Sequence, residues 1–163
     1  MRIALVVTTY ERPDALARVL DSALAQTRAP GVLVVADDGS GAPTREVVGR
    51  AAARAPFPLL HAWQPHDGWG LCRARNAAVA RAAADYVVMV DGDMLLDAAF
   101  LADHARHACR GRWVQGCRLP LTPDATRRVI EGRAPGPRRA DTDRRHRAQA
   151  WRAPWLGGLL GRA

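Results

Sequence analysis

The sequence predicts an α/β protein, a mostly parallel sheet with helices on both faces. Three observations carry that prediction. Short apolar, β-branched runs alternate at least four times with segments of helical periodicity. The 163 residues are 48% hydrophobic and 25% charged, ordinary for one globular domain with a sizeable core. Polar clusters follow directly after three of the apolar runs, at the sheet edge where ligands bind in such folds. The composition excludes a disordered chain, a collagen-like fibre and a disulfide-built miniprotein.

Residues 2–8 (RIALVVT) read as a buried strand that ends on polar residues. The apolar run is too short for a spanning helix, which needs ~20 residues, and it does not read as a secretory leader. Pro13 and Asp14 open a helix. Leu16, Val19, Leu20, Ala23 and Leu24 form its buried stripe, and Pro30-Gly31 breaks it. Residues 32–36 are a second strand and 44–54 the next helix. Residues 59–63 are a third strand, 64–70 a polar loop and 71–84 a helix. Residues 86–90 are a fourth strand, and 98–109 are helical with Phe100, Leu101 and Ala108 inward. Residues 113–119 read as a further strand and 123–131 as a short helix. Domain one is therefore 1–131, and 132–163 is a basic arm with a Trp- and Leu-bearing end.

Charge is placed unevenly. Residues 1–111 hold 12 Arg against 12 acids, and residues 112–163 hold 12 Arg against 4, so the net +8 sits in the last third. Such an arm attracts phosphates or anionic headgroups. Nucleic acid is the poorer partner, because the arm lacks interleaved aromatics and any recognition motif. Cys72, Cys109 and Cys117 form no CxxC pair and read as reduced thiols. His104, His107 and Cys109 lie close together, but with no partner motif they read as a helix surface rather than a metal site.

The chemistry is concentrated after the strands. Asp91-Gly92-Asp93 puts two carboxylates beside a hydrophobic strand, suited to a hard divalent cation (Mn²⁺ or Mg²⁺) that also binds phosphate. Asp37-Asp38-Gly39-Ser40 makes a good turn, yet two adjacent acids repel unless each is used. A carboxylate there can accept from a base N–H or a ribose hydroxyl. Thr8, Tyr10 and Glu11 add a hydroxyl, an aromatic face and a further acid. Arg73, Arg75 and Asn76 open the helix before the fourth strand, and Arg suits phosphate. No GxGxxG follows the first strand, as a dinucleotide dehydrogenase would require, and no GxGxRL loop of a nucleotidyltransferase is present.

Four segments in order, VVTTYERPDALARVLDSALAQT, VVADDGS, HAWQPHDGWGLCRARNAAVA and DYVVMVDGDM, resemble the nucleotide-sugar-binding half of the family 2 glycosyltransferases, which have the GT-A fold. The HAWQ segment and GRWVQGCRLPLT are similar to the branch with bacterial chondroitin-polymerase-type and lipopolysaccharide or capsule transferases. The resemblance covers residues 2–131, and more faintly the arm. It implies that Thr8 and Tyr10 line the base pocket, with Glu11 near the ribose. Asp38 would bind the base, most readily uracil, with Asp37 in support. Arg75 and Asn76 would hold the diphosphate or the acidic turn, Asp91 would contact ribose or donor sugar, and Asp93 would ligate the metal. The implied reaction is inverting, metal-dependent transfer from a UDP-sugar to a saccharide or lipid-linked acceptor in bacterial surface polysaccharide assembly. It would take place in the cytoplasm, with the arm meeting the membrane peripherally.

The family's general-base motif has no counterpart here. After Asp103 the acids are Asp124, Glu131, Asp141 and Asp143, none in the expected context, so the catalytic base is unassigned. The expectation is a donor-binding half that stops where an acceptor half would begin. A catalytically incomplete nucleotide-sugar-binding fragment is the alternative.

Overall fold

The computed structural model describes residues 1–133 and 141–142. They fall into two compact units, Met1–Arg112 and the described residues from Trp113 onward.

The first unit is a four-stranded sheet with helices on both faces. Its elements run β1 (Ile3–Thr9), α1 (Pro13–Leu24), β2 (Val32–Asp37), α2 (Ala42–Arg54), β3 (Leu59–Trp63), α3 (Leu71–Ala82), β4 (Tyr86–Asp91) and α4 (Phe100–His107). The strand order is β3-β2-β1-β4, and every pairing is parallel. β1 and β2 are buried along their whole length, as their unbroken apolar runs require. The chain steps outward from β1 to β3, then crosses back through α3 to lay β4 on the other side of β1. That reversal makes the carboxyl ends of β1 and β4 a switch point, where open parallel sheets place their ligands.

The two faces pack differently. Leu16, Val19 and Leu20 of α1 and Val47 and Val48 of α2 cover Leu5, Val7, Leu33 and Val35. On the other face α3 brings only Ala74, Ala78 and Ala82, spaced by four, against Ala4, Val6, Val34, Ala36 and Ala62. A helix seated on alanines lies close to the sheet.

Several expected boundaries move. α1 ends at Leu24, well before Pro30, and Ala25 follows as its C-cap. α2 starts at Ala42, because Pro43 fits the first turn and Gly41 caps the helix. α3 stops at Ala82, where Ala83 takes a left-handed conformation at φ 41°. α4 is shorter than 98–109, and Ala108, expected inward, is its half-buried C-cap. Leu101 of α4 is fully buried, and Phe100 packs beside it on the core.

The strand expected over 113–119 does not form: these residues are irregular chain without ladder partners, and Trp113 is 80% exposed. Strands need a neighbour for their backbone groups, and here only Leu121 bridges antiparallel to Thr142 among the described residues. The second unit also contains α5 (Pro123–Ile130), opened by Pro123 and capped by Thr122, whose hydroxyl accepts from the Ala125 amide at 3.3 Å. Arg128 pairs with Asp141, and the Thr122 amide donates to the Asp141 carbonyl. The remainder of the expected basic arm, and its Trp- and Leu-bearing end, lie outside the described residues.

Candidate functional site

The site is assembled from the carboxyl ends of β1, β2 and β4 and from the loop between β3 and α3. Strand alternation decides which side chains meet. Thr8 and Asp91 are register partners and share the α3 face. Asp37 lies level with Trp63 on the opposite face, and Asp38, one residue on, returns toward α3.

Asp91 accepts from two sides. Thr8 Oγ1 donates to Asp91 Oδ1 at 3.1 Å, and the Arg75 guanidinium reaches the same oxygen at 2.6 Å. The Arg75 contact exists because α3 sits low on its alanines, directly beside β1. The Met94 amide donates to the Asp91 carbonyl, so Gly92 and Asp93 form the centre of a turn. A Cβ at Gly92 would lie 2.5 Å from the Thr8 carbonyl oxygen, so only glycine lets this turn cross the end of β1. Asp93 projects from it, exposed.

Asp38 forms a second cluster. Its Oδ1 accepts from Gln64 Nε2 at 2.6 Å and its Oδ2 from the Gly70 amide at 3.0 Å. A Cβ at Gly70 would overlap that carboxylate, so glycine is required where α3 begins. His66 Nδ1 lies 3.0 Å from the Asp38 carbonyl and must therefore be the protonated nitrogen, donating to it. The Tyr10 ring stacks on the His66 imidazole, with centroids 4.3 Å apart and planes 15° from parallel.

Asp37 is fully buried and occupied. Its Oδ1 accepts from the Ser40 amide at 2.9 Å, and its Oδ2 pairs with His61 Nε2 at 2.8 Å. Burial pushes its pKa up, but the hydrogen bonds from His61 and Ser40 and the His61 charge together outweigh that and hold it below the ordinary value. Glu11 has φ 48°. Its carboxylate accepts from the Gly41 amide at 2.8 Å, and its own amide donates to Ser40 Oγ. It fastens the β1–α1 loop to the β2–α2 loop.

The structure thus gathers Thr8, Arg75 and Asp91 in one cluster and Asp38 and Tyr10 in another. Asp37 and Glu11 hold the loops around them, Asp93 stands exposed at the turn, and Asn76 is exposed on α3 with no bond to either cluster shown. Arg73 spans from Gln64 Oε1 to the Pro65 carbonyl and braces the loop before α3. His61, Gln64, His66 and Gly70 were not singled out from sequence. His61 was readable in principle, because period-two alternation puts it on the Asp37 face once β3 is taken as parallel to β2. Residues 64–70 carry no periodicity, so their contacts needed the fold. His104, Tyr86 and Phe100 pack together: the Tyr86 hydroxyl lies 3.1 Å from His104 Nδ1, and the Phe100 ring meets the imidazole edge-on. That histidine is committed to the core.

The turn suits a divalent cation in its chemistry. It offers carboxylate oxygens, and beneath it Thr9 Oγ1 is buried with no hydrogen-bond partner. No three His, Cys, Asp or Glu side chains converge among the described residues. A hard cation here would complete its shell with phosphate oxygens and water.

The model of the family described as glycosyl transferase family 2 matches residues 4–152. The chain is 32% identical over 121 residues to the validoxylamine A glucosyltransferase of Streptomyces hygroscopicus subsp. limoneus, covering 71% of this chain and 26% of that protein. It superimposes on residues 1–349 of S. aureus TarS with a TM-score of 0.58 at 26% identity, covering 65% of this chain and 32% of that one. TarS is also solved with UDP and with UDP-GlcNAc. A mannosyltransferase from Pyrobaculum calidifontis, PcManGT, solved with GDP-Man and Mn²⁺, gives a TM-score of 0.52 at 28% identity, covering 58% of this chain and 28% of that one. The chain spans about a quarter of the length of the curated relatives it matches, 28% and 26%.

Proposed function

The chain belongs to glycosyl transferase family 2, and from that premise we propose that its first unit binds a UDP-sugar across the two clusters for transfer to a saccharide or lipid-linked acceptor. The observation that supports this most directly is the convergence of Thr8, Arg75 and Asp91 at the β1–β4 switch point, from segments up to 83 residues apart, with the Asp38 cluster at the end of the neighbouring strand β2.

In this reading the base lies against Tyr10 and Asp38, walled by the loops that Asp37 and Glu11 hold. Asp91, oriented by Thr8 and Arg75, meets the ribose or the donor sugar. Arg75 would turn a guanidinium N–H toward the diphosphate, and Asn76 follows it on the same helix. Asp93, with Asp91 behind it, would hold the cation. When bound, the cation neutralises charge building on the departing diphosphate. Transfer would invert the anomeric carbon. The similarity of the HAWQ segment favours a polysaccharide or lipopolysaccharide acceptor at the inner face of a cell membrane, met by the basic arm. No helix among the described residues is long and apolar enough to cross a membrane.

The test is calorimetric titration of UDP with and without Mn²⁺ into the 163-residue chain and its Asp93→Ala variant. We expect binding that needs the metal, at least a tenfold loss in the variant (about 1.4 kcal/mol), and an unchanged Tm, since Asp93 is exposed. A folded chain that binds no UDP in either condition overturns the proposal.

A further inference from the structure

The Tyr10–His66 stack bears on how a nucleobase enters the site. Two features recommend the pocket for a base, the Tyr10 ring face and the hydrogen-bonding groups of Asp38. The His66 imidazole, itself a flat nitrogen heterocycle, engages both. Its ring lies parallel to Tyr10 at 4.3 Å. Its Nδ1–H donates to the Asp38 carbonyl at 3.0 Å and stands 3.4 Å from Asp38 Oδ2.

We propose that His66 is an affinity-determining residue that occupies the nucleobase subsite as an internal ligand, so that the donor's base binds by displacing the imidazole from Tyr10 and Asp38. This rests on the reading of Tyr10 and Asp38 as the base pocket.

Three observations make displacement by side-chain rotation the natural route. The His66 backbone is pinned: a Cβ on Gly39, which has φ 95°, would overlap the His66 amide nitrogen. The loop is held at its ends by Gln64 on Asp38, by Gly70 on Asp38 and by Arg73 on Pro65. The His66 side chain, by contrast, is 37% exposed and has solvent to turn into. Only the imidazole need move, and the loop that carries it can stay. Tyr10 is 46% exposed, so its ring remains reachable from solvent when the histidine leaves.

A side chain that holds its own site lowers apparent affinity by the fraction of molecules in which the site is open. Removing it lifts that reduction. UDP with Mn²⁺ is titrated into the full chain, His66→Ala and His66→Phe, with a thermal melt of each. We expect His66→Ala to bind about five- to tenfold more tightly. His66→Phe keeps a ring against Tyr10 without the Asp38 hydrogen bond, and we expect it to bind no more tightly than the parent. If His66→Ala melts as the parent does and binds equally or more weakly, the imidazole supports the pocket rather than filling it, and the inference is overturned. If the parent chain binds no UDP at all, the underlying reading of the pocket fails instead. A uniform tightening in both variants also overturns the inference, because a ring still stacked on Tyr10 would then not compete with the base.

Discussion

Asp37 and Asp38 adjoin in sequence but point to opposite faces of the sheet, so each acid has its own donors and neither faces the other. For Asp37 the consequence is pH-dependent stability. Its folded pKa lies below the ordinary 3.8. Its contribution is therefore fully present above pH ~4 and is lost as pH falls through the folded value. In urea melts at pH 6, Asp37→Ala should cost about 1–3 kcal/mol, because the His61 ring and the Ser40 amide lose their acceptor. The difference from the parent should shrink as the melts are taken progressively further below pH 3.8. The importance of this pair of acids was legible in the sequence, from the cost of leaving them together. Their division of labour was not, since it depends on where the pleat puts each residue and on His61, which comes from a strand 24 residues away.

At the scale of elements, all four strands of the sheet were legible within a residue at either end; in β1, β2 and β4 the signal is a Val-, Ile- and Leu-rich run, whereas β3 (LLHAW) rests on a shorter apolar stretch between turn signals. The residues 113–119 show the limit of that logic. Trp113, Val114 and Leu119 supply β-propensity, but propensity reports fit to a pleated, half-buried surface, and these side chains are exposed. Helix α3 is the opposite case. Its sequence is poor in large apolar residues, yet it is packed on Ala74, Ala78 and Ala82, each at most 1% exposed. There is no space for a larger side chain in that seam. Ala78→Leu should lower stability by about 1–3 kcal/mol through overpacking, seen as a lower urea midpoint at unchanged slope, whereas Val79→Leu, on the exposed side of the same helix, should stay within about 0.5 kcal/mol.

For the whole molecule, both core clusters lie entirely within Met1–Arg112. A chain ended at Arg112 should accordingly unfold in one cooperative thermal transition; a broad, non-cooperative melt would contradict that. The site has no such local independence. β1 is hydrogen-bonded to a neighbour on each side, and its last residues supply groups to a strand that arrives more than 80 residues later. The clusters therefore cannot exist in any partly folded form that lacks the central strand, and whatever occupies them has no affinity for such forms. Occupancy is thereby coupled to global unfolding rather than to the fraying of a loop. A ligand at a hundred times its dissociation constant would raise the free energy of opening the entire sheet by about 2.7 kcal/mol. Amides deep in β1 and β2, far from any bound group, should then exchange about a hundredfold more slowly, so that a nucleotide would be reported by hydrogens it never touches.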